Sequence, residues 1–401
     1  MTTPTLRLAP GKEKALWRHH PWVFSGALWR QQTLPEEGEW VDVTDADGKP
    51  VATAHMQNPK ASILLKVLSF GDPVKDKKAF YEQRISAAVQ YRQSWGLGAD
   101  KKTTGYRVVF GEGDGLPGLI VDRFDEILVV QCHTRGMLND LPFISEALLL
   151  ALPKTKGIYS KSAESFKPLD KTTPGLPVEN GWIQGKAGKN AGHFMENGIP
   201  FTADFEGGQK TGFFLDQRDN RALVGKHSSG KNVLNVFSYT GGFSMAALAN
   251  GAARVVSVDS SARACARAEE HAALLGASDK HTVVISDAFD YLQNMDDSWD
   301  VVILDPPAFA KRKTASHNAM MAYKRLNALA LSKMKSGSFL FTFSCSQNVP
   351  SSQFLDALRA AAFETGKSLK IVKTLGQPVD HPVVTGFPEG EYLKGLLLYI
   401  E

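Results

Sequence analysis

Long apolar runs are missing from this 401-residue chain, and with them the means to cross a bilayer as a helix. Residues 1–30 mix charges and histidines among their apolar positions and do not read as a signal peptide. There are three cysteines, Cys132, Cys265 and Cys345, far apart and odd in number. They exclude a disulfide framework and a cysteine zinc site, so a reducing cytoplasm and no bound metal are expected. A strong charge of either sign is also lacking. The net charge of +4 and pI near 8.7 permit a nucleic-acid partner without demanding one. What is present is 43% hydrophobic residues, enough over this length for two or three cores.

Three domains are expected, at 1–72, 73–190 and 191–401. The first is small and β-rich, with Arg18, His19 and His20 before Pro21-Trp22-Val23-Phe24 and strands near 40–43 and 63–68. A basic edge beside aromatics suits an RNA backbone or a solvated face over a core Trp, and composition alone favours the second. The second is α+β: a helix over 74–95, strands over 106–110, 119–122 and 127–131, a helix over 138–152, and an irregular linker over 153–192. The acidic, glycine-rich stretch 111–118 would repel phosphate and reads as a hairpin connection. From residue 194 strands and helices alternate. Strands at 233–237, 255–259, 282–286, 299–304, 338–343 and 396–400 and helices at 262–275, 320–333 and 352–365 predict a doubly wound, Rossmann-like α/β sheet.

The chain is organised around residues 232–243, Asn-Val-Leu-Asn-Val-Phe-Ser-Tyr-Thr-Gly-Gly-Phe. A buried parallel strand, a turn at Gly241-Gly242 and an alanine-rich helix make a nucleotide-sized cradle. The phosphate fingerprint G-x-G-x-x-G is absent, so a ligand without phosphates, such as S-adenosylmethionine, suits it better than a dinucleotide; a purely structural turn is the other reading. Acidic residues follow the next two strands. Asp259 could accept both ribose hydroxyls, or cap the helix near Ala262, a task Ser260 or Ser261 could share. Asp287 could accept from an adenine amine with Phe289 near the ring, or cap a helix. Asp305-Pro306-Pro307-Ala308-Phe309 ends the fourth strand. Its prolines delay the next helix, leaving Asp305 over the carboxyl edge and Phe309 able to stack on a base.

Cys345, in Thr342-Phe343-Ser344-Cys345-Ser346, ends the fifth strand, whereas Cys132 and Cys265 read as small core hydrophobes. A thiol one strand from a carboxylate, beside a methyl donor, fits methylation at carbon 5 of a pyrimidine. Attack of Cys345 on carbon 6 makes carbon 5 nucleophilic, and Asp305 at ring nitrogen 3 shares a proton and favours cytosine. Two other readings stay open: a nitrogen-directed methyltransferase using the Asp-Pro-Pro-Ala-Phe loop, and a non-catalytic RNA-binding or assembly factor.

With these motifs the chain resembles the ribosomal large-subunit RNA methyltransferase I family, cytosine-5 methyltransferases with an N-terminal PUA domain. The resemblance is carried by Arg18-His19-His20-Pro21-Trp22-Val23-Phe24-Ser25-Gly26, by residues 113–123, by Lys210-Thr211-Gly212-Phe213-Phe214-Leu215-Asp216-Gln217-Arg218, and by Phe237-Ser238-Tyr239-Thr240-Gly241-Gly242-Phe243. Asp305-Pro306-Pro307, Phe343-Ser344-Cys345-Ser346, Asp380-His381-Pro382 and Tyr392-Leu393-Lys394-Gly395 complete it. It implies that S-adenosylmethionine is held by Lys210, Thr211, Phe214, Phe237, Ser238, Tyr239, Thr240, Gly241, Asp259, Ser260, Asp287, Ala288, Asp305 and Pro306. It further implies catalysis by Cys345 and Asp305, contact with large-subunit ribosomal RNA through Arg18, His20, Trp22 and Phe309, and a homodimer. Ala308 stands where many relatives carry a Lys, and the stretch 161–190 does not match.

Overall fold

The computed structural model describes residues 3–30, 32–167, 178–186, 192–310 and 316–401. Two compact units divide the chain: Met1–Phe194, Ala203–Phe213 and Val379–Gly390 form one, and Met195–Thr202, Phe214–Pro378 and Glu391–Glu401 the other.

The first unit carries two five-stranded sheets. In one, β1 (Thr5–Arg7), β2 (Trp22–Phe24), β3 (Trp40–Thr44), β4 (Pro50–Met56) and β5 (Ile63–Phe70) lie in the order β1-β3-β4-β5-β2, and the short helix α1 (Lys14–Trp17) precedes β2. The helix α2 (Lys77–Ser94) starts where the Asp76 side chain accepts from the Ala79 amide, which satisfies one of the first-turn donors. Then come β6 (Gly105–Phe110), β7 (Leu119–Phe124), β8 (Ile127–Cys132), α3 (Arg135–Asn139), α4 (Leu141–Ala151), β9 (Gly157–Ser160) and β10 (Gly181–Gln184); the second sheet runs β10-β9-β8-β7-β6. Trp40 and Leu68 of the first sheet belong to the same core cluster as α2, α4 and the second sheet.

Two expectations fail here. The helix over 138–152 is two helices, because the backbone breaks from helical geometry at Asp140, whose carboxylate is drawn to Trp40 Nε1 (2.6 Å), Tyr81 Oη (2.8 Å) and His55 Nε2 (3.0 Å). The supposed linker 153–192 supplies β9, parallel to β8, and β10, antiparallel to β9. Its short apolar runs, such as Ile158-Tyr159, are buried against neighbouring strands, and tertiary burial overrides a turn-rich composition. The 111–118 connection is the expected hairpin, joining antiparallel β6 and β7.

The second unit begins with β11 (His193–Glu196) and β12 (Ile199–Thr202), a two-stranded ribbon whose first residues still belong to the first unit. After α5 (Arg218–Lys226) come β13 (Asn232–Val236), α6 (Gly242–Ala249), β14 (Arg254–Asp259), α7 (Ala262–Leu275), β15 (His281–Ile285), α8 (Ala288–Asn294), β16 (Val301–Leu304), α9 (Ser316–Lys333), β17 (Phe339–Ser344), α10 (Ser351–Thr365), β18 (Leu369–Leu375) and β19 (Lys394–Ile400). The seven-stranded sheet has the order β15-β14-β13-β16-β17-β19-β18, with β19 antiparallel to both neighbours. The strand order reverses between β13 and β16, where open α/β sheets form a crevice at their carboxyl ends.

Successive side chains of each strand point to opposite faces. Leu234, Val236, Val256, Val258, Val302 and Leu304 join the core made with α8, α9 and α10. On the other face Asn235 donates to Ser244 on α6 (2.9 Å), Ser244 and Ser257 share a bond of 2.6 Å, and Ser257 meets His281 at 2.8 Å. Buried polar groups in the middle of the sheet are thus linked as a chain, although Asn235 Oδ1 has no hydrogen-bond partner among the described residues. The helix expected over 262–275 is found as α7, whose Ser261 caps it by accepting from the Ala264 amide.

Candidate cofactor and catalytic site

β13, β14, β15, β16 and β17 are mutually parallel, so the residues that follow each of them share one edge of the sheet. That edge gathers Phe237–Gly241, Asp259 with Ser260, Asp287 with Ala288, Asp305 with Pro306, and Cys345.

The turn after β13 is strained. Phe237 has φ of 59° and Tyr239 of 46°, values costly for aromatic residues, and Gly241 follows at 77°. The alternation of left-handed residues folds the backbone back on itself. Ser238 N is held by Val258 O (3.0 Å) and Gly241 N by Ser238 O (2.8 Å). Asp259 accepts from Tyr239 N through Oδ2 (2.8 Å) and from Ser261 N through Oδ1 (2.9 Å). His271 on α7 meets Thr240 O at 2.8 Å and receives Thr202 N at 3.0 Å; burial holds its pKa below the ordinary histidine value. The strain is therefore over-determined by surrounding bonds, as expected of a ligand clamp. Gly241 is needed here: a Cβ would lie 3.0 Å from Ala268 Cβ, at a positive φ.

Asp287 uses Oδ1 twice, accepting from Phe289 N (2.8 Å) and Asp290 N (3.2 Å), and so caps α8. Phe214 packs edge-on against Tyr239, ring centroids 5.1 Å apart. Its carbonyl accepts from Arg221 (2.9 Å), whose guanidinium forms a buried fork with Glu196 at 2.6 Å on each arm.

Beyond β16 and β17 the two loops are tied together. Ala310 N donates to Ser346 Oγ (3.4 Å), Asn348 Nδ2 donates to Ala310 O (3.4 Å), and Cys345 Sγ lies 3.8 Å from Pro306 O. Cys345 is partly exposed, whereas Cys132 and Cys265 are buried. Burial pushes the Cys132 thiol up to about 12, which keeps it inert. Ser344 Oγ donates to the buried Tyr323 hydroxyl (2.9 Å), which shares a second bond with Ser346 Oγ (3.1 Å); burial keeps the phenol protonated. Phe309 is half-buried, its ring 4.8 Å from that of Tyr323.

Lys210 and Thr211 belong to the first unit. Thr211 is buried, and its hydroxyl donates to Asp122 Oδ2 at 2.6 Å, so that side chain is spent inside the first unit's core. Trp22 is part-buried, donating to Glu112 Oε1 (2.9 Å) and packed on Phe387 (4.6 Å), and His20 sits among Trp22, Phe24, Phe387 and Glu389. Arg18 is exposed. The exposed aromatics of this module are Trp17, Phe24 and Trp29, the last under Arg7.

The S-adenosylmethionine-dependent methyltransferase profile matches residues 176–398, and a PUA-like domain profile matches residues 6–70. Ribosomal RNA large subunit methyltransferase I of Shewanella amazonensis is 37% identical over 396 residues, 98% of each chain. The protein of the same name from Yersinia pseudotuberculosis is 37% identical over 398 residues, again 98% of each. The chain belongs to the ribosomal RNA large subunit methyltransferase I family. Among solved structures, a Streptococcus mutans protein assigned as a SAM-dependent methyltransferase superposes with a TM-score of 0.83 at 22% identity, covering 99% of this chain and 100% of that one. Another methyltransferase structure, complexed with SAH, gives 0.83 and 22% over 100% of both chains. These likenesses carry the fold: a Rossmann-like methyltransferase sheet preceded by a PUA-like module.

Membership of this family makes S-adenosylmethionine the cofactor, and the sheet edge fits it. Carboxylates stand after β14 and β15 where phosphates would be repelled and hydroxyl or amine donors accepted. The buried Ser238 hydroxyl, in the strained turn, has no hydrogen-bond partner within the described residues, an acceptor and donor left for a ligand. Sequence reasoning missed Tyr323, which bonds Ser344 and Ser346 on either side of Cys345, and Lys394, whose ammonium donates to Ser346 O (2.9 Å). Tyr323 lies inside an ordinary amphipathic helix and gave no signal; Lys394 stood in the Tyr-Leu-Lys-Gly motif.

Proposed function

We propose that this chain is a methyltransferase that forms 5-methylcytosine in large-subunit ribosomal RNA, with Cys345 as nucleophile and Asp305 as its partner. The observation that carries the reading is the adjacency of β16 and β17 in parallel register, Leu304 opposite Thr342, which puts Asp305 and Cys345 just beyond neighbouring strand ends. The names of the 37% identical relatives support ribosomal RNA as the substrate.

When bound, S-adenosylmethionine supplies an electrophilic methyl group. Phe214, Phe237–Gly241, Asp259, Ser260, Asp287, Ala288 and Pro306 would hold it. The Cys345 thiolate adds to carbon 6 of a cytosine that has left its stack. Asp305 shares a proton at ring nitrogen 3, so the electron pair is delivered to carbon 5 rather than lost to the ring carbonyl. After carbon 5 has been alkylated, loss of its proton to a base expels the sulfur and restores aromaticity. Phe309 would lie against the base, and the PUA-like module, within a division at 1–72, 73–190 and 191–401, would hold flanking RNA through Arg18 and its exposed aromatics. A cytoplasmic homodimer completes the reading; among the described residues no helix is long and apolar enough to cross a membrane.

The test is Cys345→Ala with radiolabelled donor and large-subunit RNA. Transfer is expected to disappear while S-adenosylmethionine binds within about twofold of the parent. Normal turnover would defeat the covalent route and turn the reading toward a ring or exocyclic nitrogen, which base-resolved mass analysis of the product would show.

A further inference from the structure

Lys394 opens β19, opposite Ser344 in the antiparallel pair with β17. It is 8% exposed, and its ammonium donates to Ser346 O (2.9 Å) and to Tyr392 O (3.0 Å). Two of its three N–H groups are thus accounted for, both by neutral carbonyls, and no carboxylate lies within ion-pair distance among the described residues. Keeping a cation in such a place is costly unless an anion compensates it. Burial pulls the Lys394 pKa down, and the charges that push it back up are those of Glu391 and Cys345.

The surroundings of the thiol are equally specific. Ser344 and Ser346, on either side of Cys345, both bond the Tyr323 hydroxyl, and the Ser346 carbonyl is the one that Lys394 holds. The titratable groups around this segment are the protonated Tyr323 on α9, which is neutral, Lys394 on β19, whose charge favours a Cys345 thiolate, and Asp305 just beyond the neighbouring strand β16. Exposed Glu391, three residues before Lys394, offsets part of that charge.

We propose that the Lys394 ammonium stabilises the Cys345 thiolate, making Lys394 the positioning residue that activates the nucleophile. This rests on the reading of Cys345 as the attacking group. The thiol's proton passes to solvent, the ammonium keeps its own, and the resulting ion pair is neutral. The sulfur leaves the methylated base as the same paired thiolate, so Lys394 serves both the attack and the departure.

The experiment is site-resolved alkylation of Cys345 with iodoacetamide across pH, read by peptide mass in the full chain, for the parent, Lys394→Gln, Lys394→Met and Lys394→Arg. Lys394→Gln retains an uncharged donor for the carbonyls, so it separates charge from packing. S-adenosylmethionine binding reports that each variant is folded. The alkylation midpoint is expected to rise by at least about one pH unit in Lys394→Gln, a tenfold loss of thiolate below the midpoint, and to return in Lys394→Arg. Methyl transfer should follow the same shift in pH. A midpoint in folded Lys394→Gln that overlays the parent overturns the proposal, whatever happens to the rate. Should Cys345→Ala prove fully active, the nucleophile reading fails, while the thiol titration still reports whether the two side chains are coupled.

Discussion

Asp259 shows how one side chain can hold two roles. Its carboxylate fixes the Tyr239 amide and thereby the strained turn, and the same group stands where ribose hydroxyls would be accepted. Asp259→Ala is expected to weaken S-adenosylmethionine binding by tenfold or more, since a hydrogen bond to a charged group is worth about 1.5–3 kcal/mol; isothermal titration checks it. Gly241→Ala meets both a positive φ and Ala268, so the unfolding free energy should fall by about 1 kcal/mol or more, measured by denaturant titration. Much of this was legible beforehand. Strand-ending Asp259, Asp305 and Cys345 needed only the hydrophobic period and the known geometry of parallel sheets. The positive φ of Phe237 and Tyr239 was not, because neither residue type announces a left-handed backbone. The hydrogen bond from the Trp22 indole N–H to Glu112, 90 residues away, was equally invisible, because nothing local pairs the two.

At the scale of elements, α8 hangs from Asp287. Asp287→Ala should cost about 0.5–2 kcal/mol of stability, whereas Asp287→Asn, another good cap, should leave the denaturation midpoint nearly unchanged. If S-adenosylmethionine affinity drops in both, the carboxylate also touches the ligand; if it drops in neither, capping is its whole task. The strands of the second unit were readable to within one or two residues because each is a short apolar run between turn signals. β18 escaped, since its Ile371 and Val372 are exposed and its lysines break the pattern of a buried strand. β9 and β10 escaped because glycine, proline and lysine dominate their neighbourhood, and only pairing with β8 makes strands of them. α3 and α4 were fused in the reading because nothing local marks Asp140 as a break; the break is enforced by Trp40, Tyr81 and His55, 59 to 100 residues away.

For the whole molecule, several histidines are held neutral by burial. His55 and His271 lie below the ordinary value, and His281 is lowered to about 4. In each case the unfolded chain takes up a proton near pH 6.5 and the folded one resists until lower pH. Their stabilising contribution is whole above about pH 6.5 and is lost as pH falls toward 4, so denaturant midpoints should fall across that window. His281→Gln, which retains a donor and acceptor for Ser257, should flatten the lower part of the curve.

The chain also passes between its two units five times, at 194/195, 202/203, 213/214, 378/379 and 390/391. The last excursion returns Asp380 to the first unit, where its carboxylate accepts the Arg107 amide (2.9 Å) and its carbonyl accepts Arg92 (2.7 Å). A gene fragment ending near codon 194 would therefore encode a piece whose innermost arginines have lost acceptors supplied 273 and 288 residues further along. Ribosomes must therefore read past codon 390 before either unit has all of its segments.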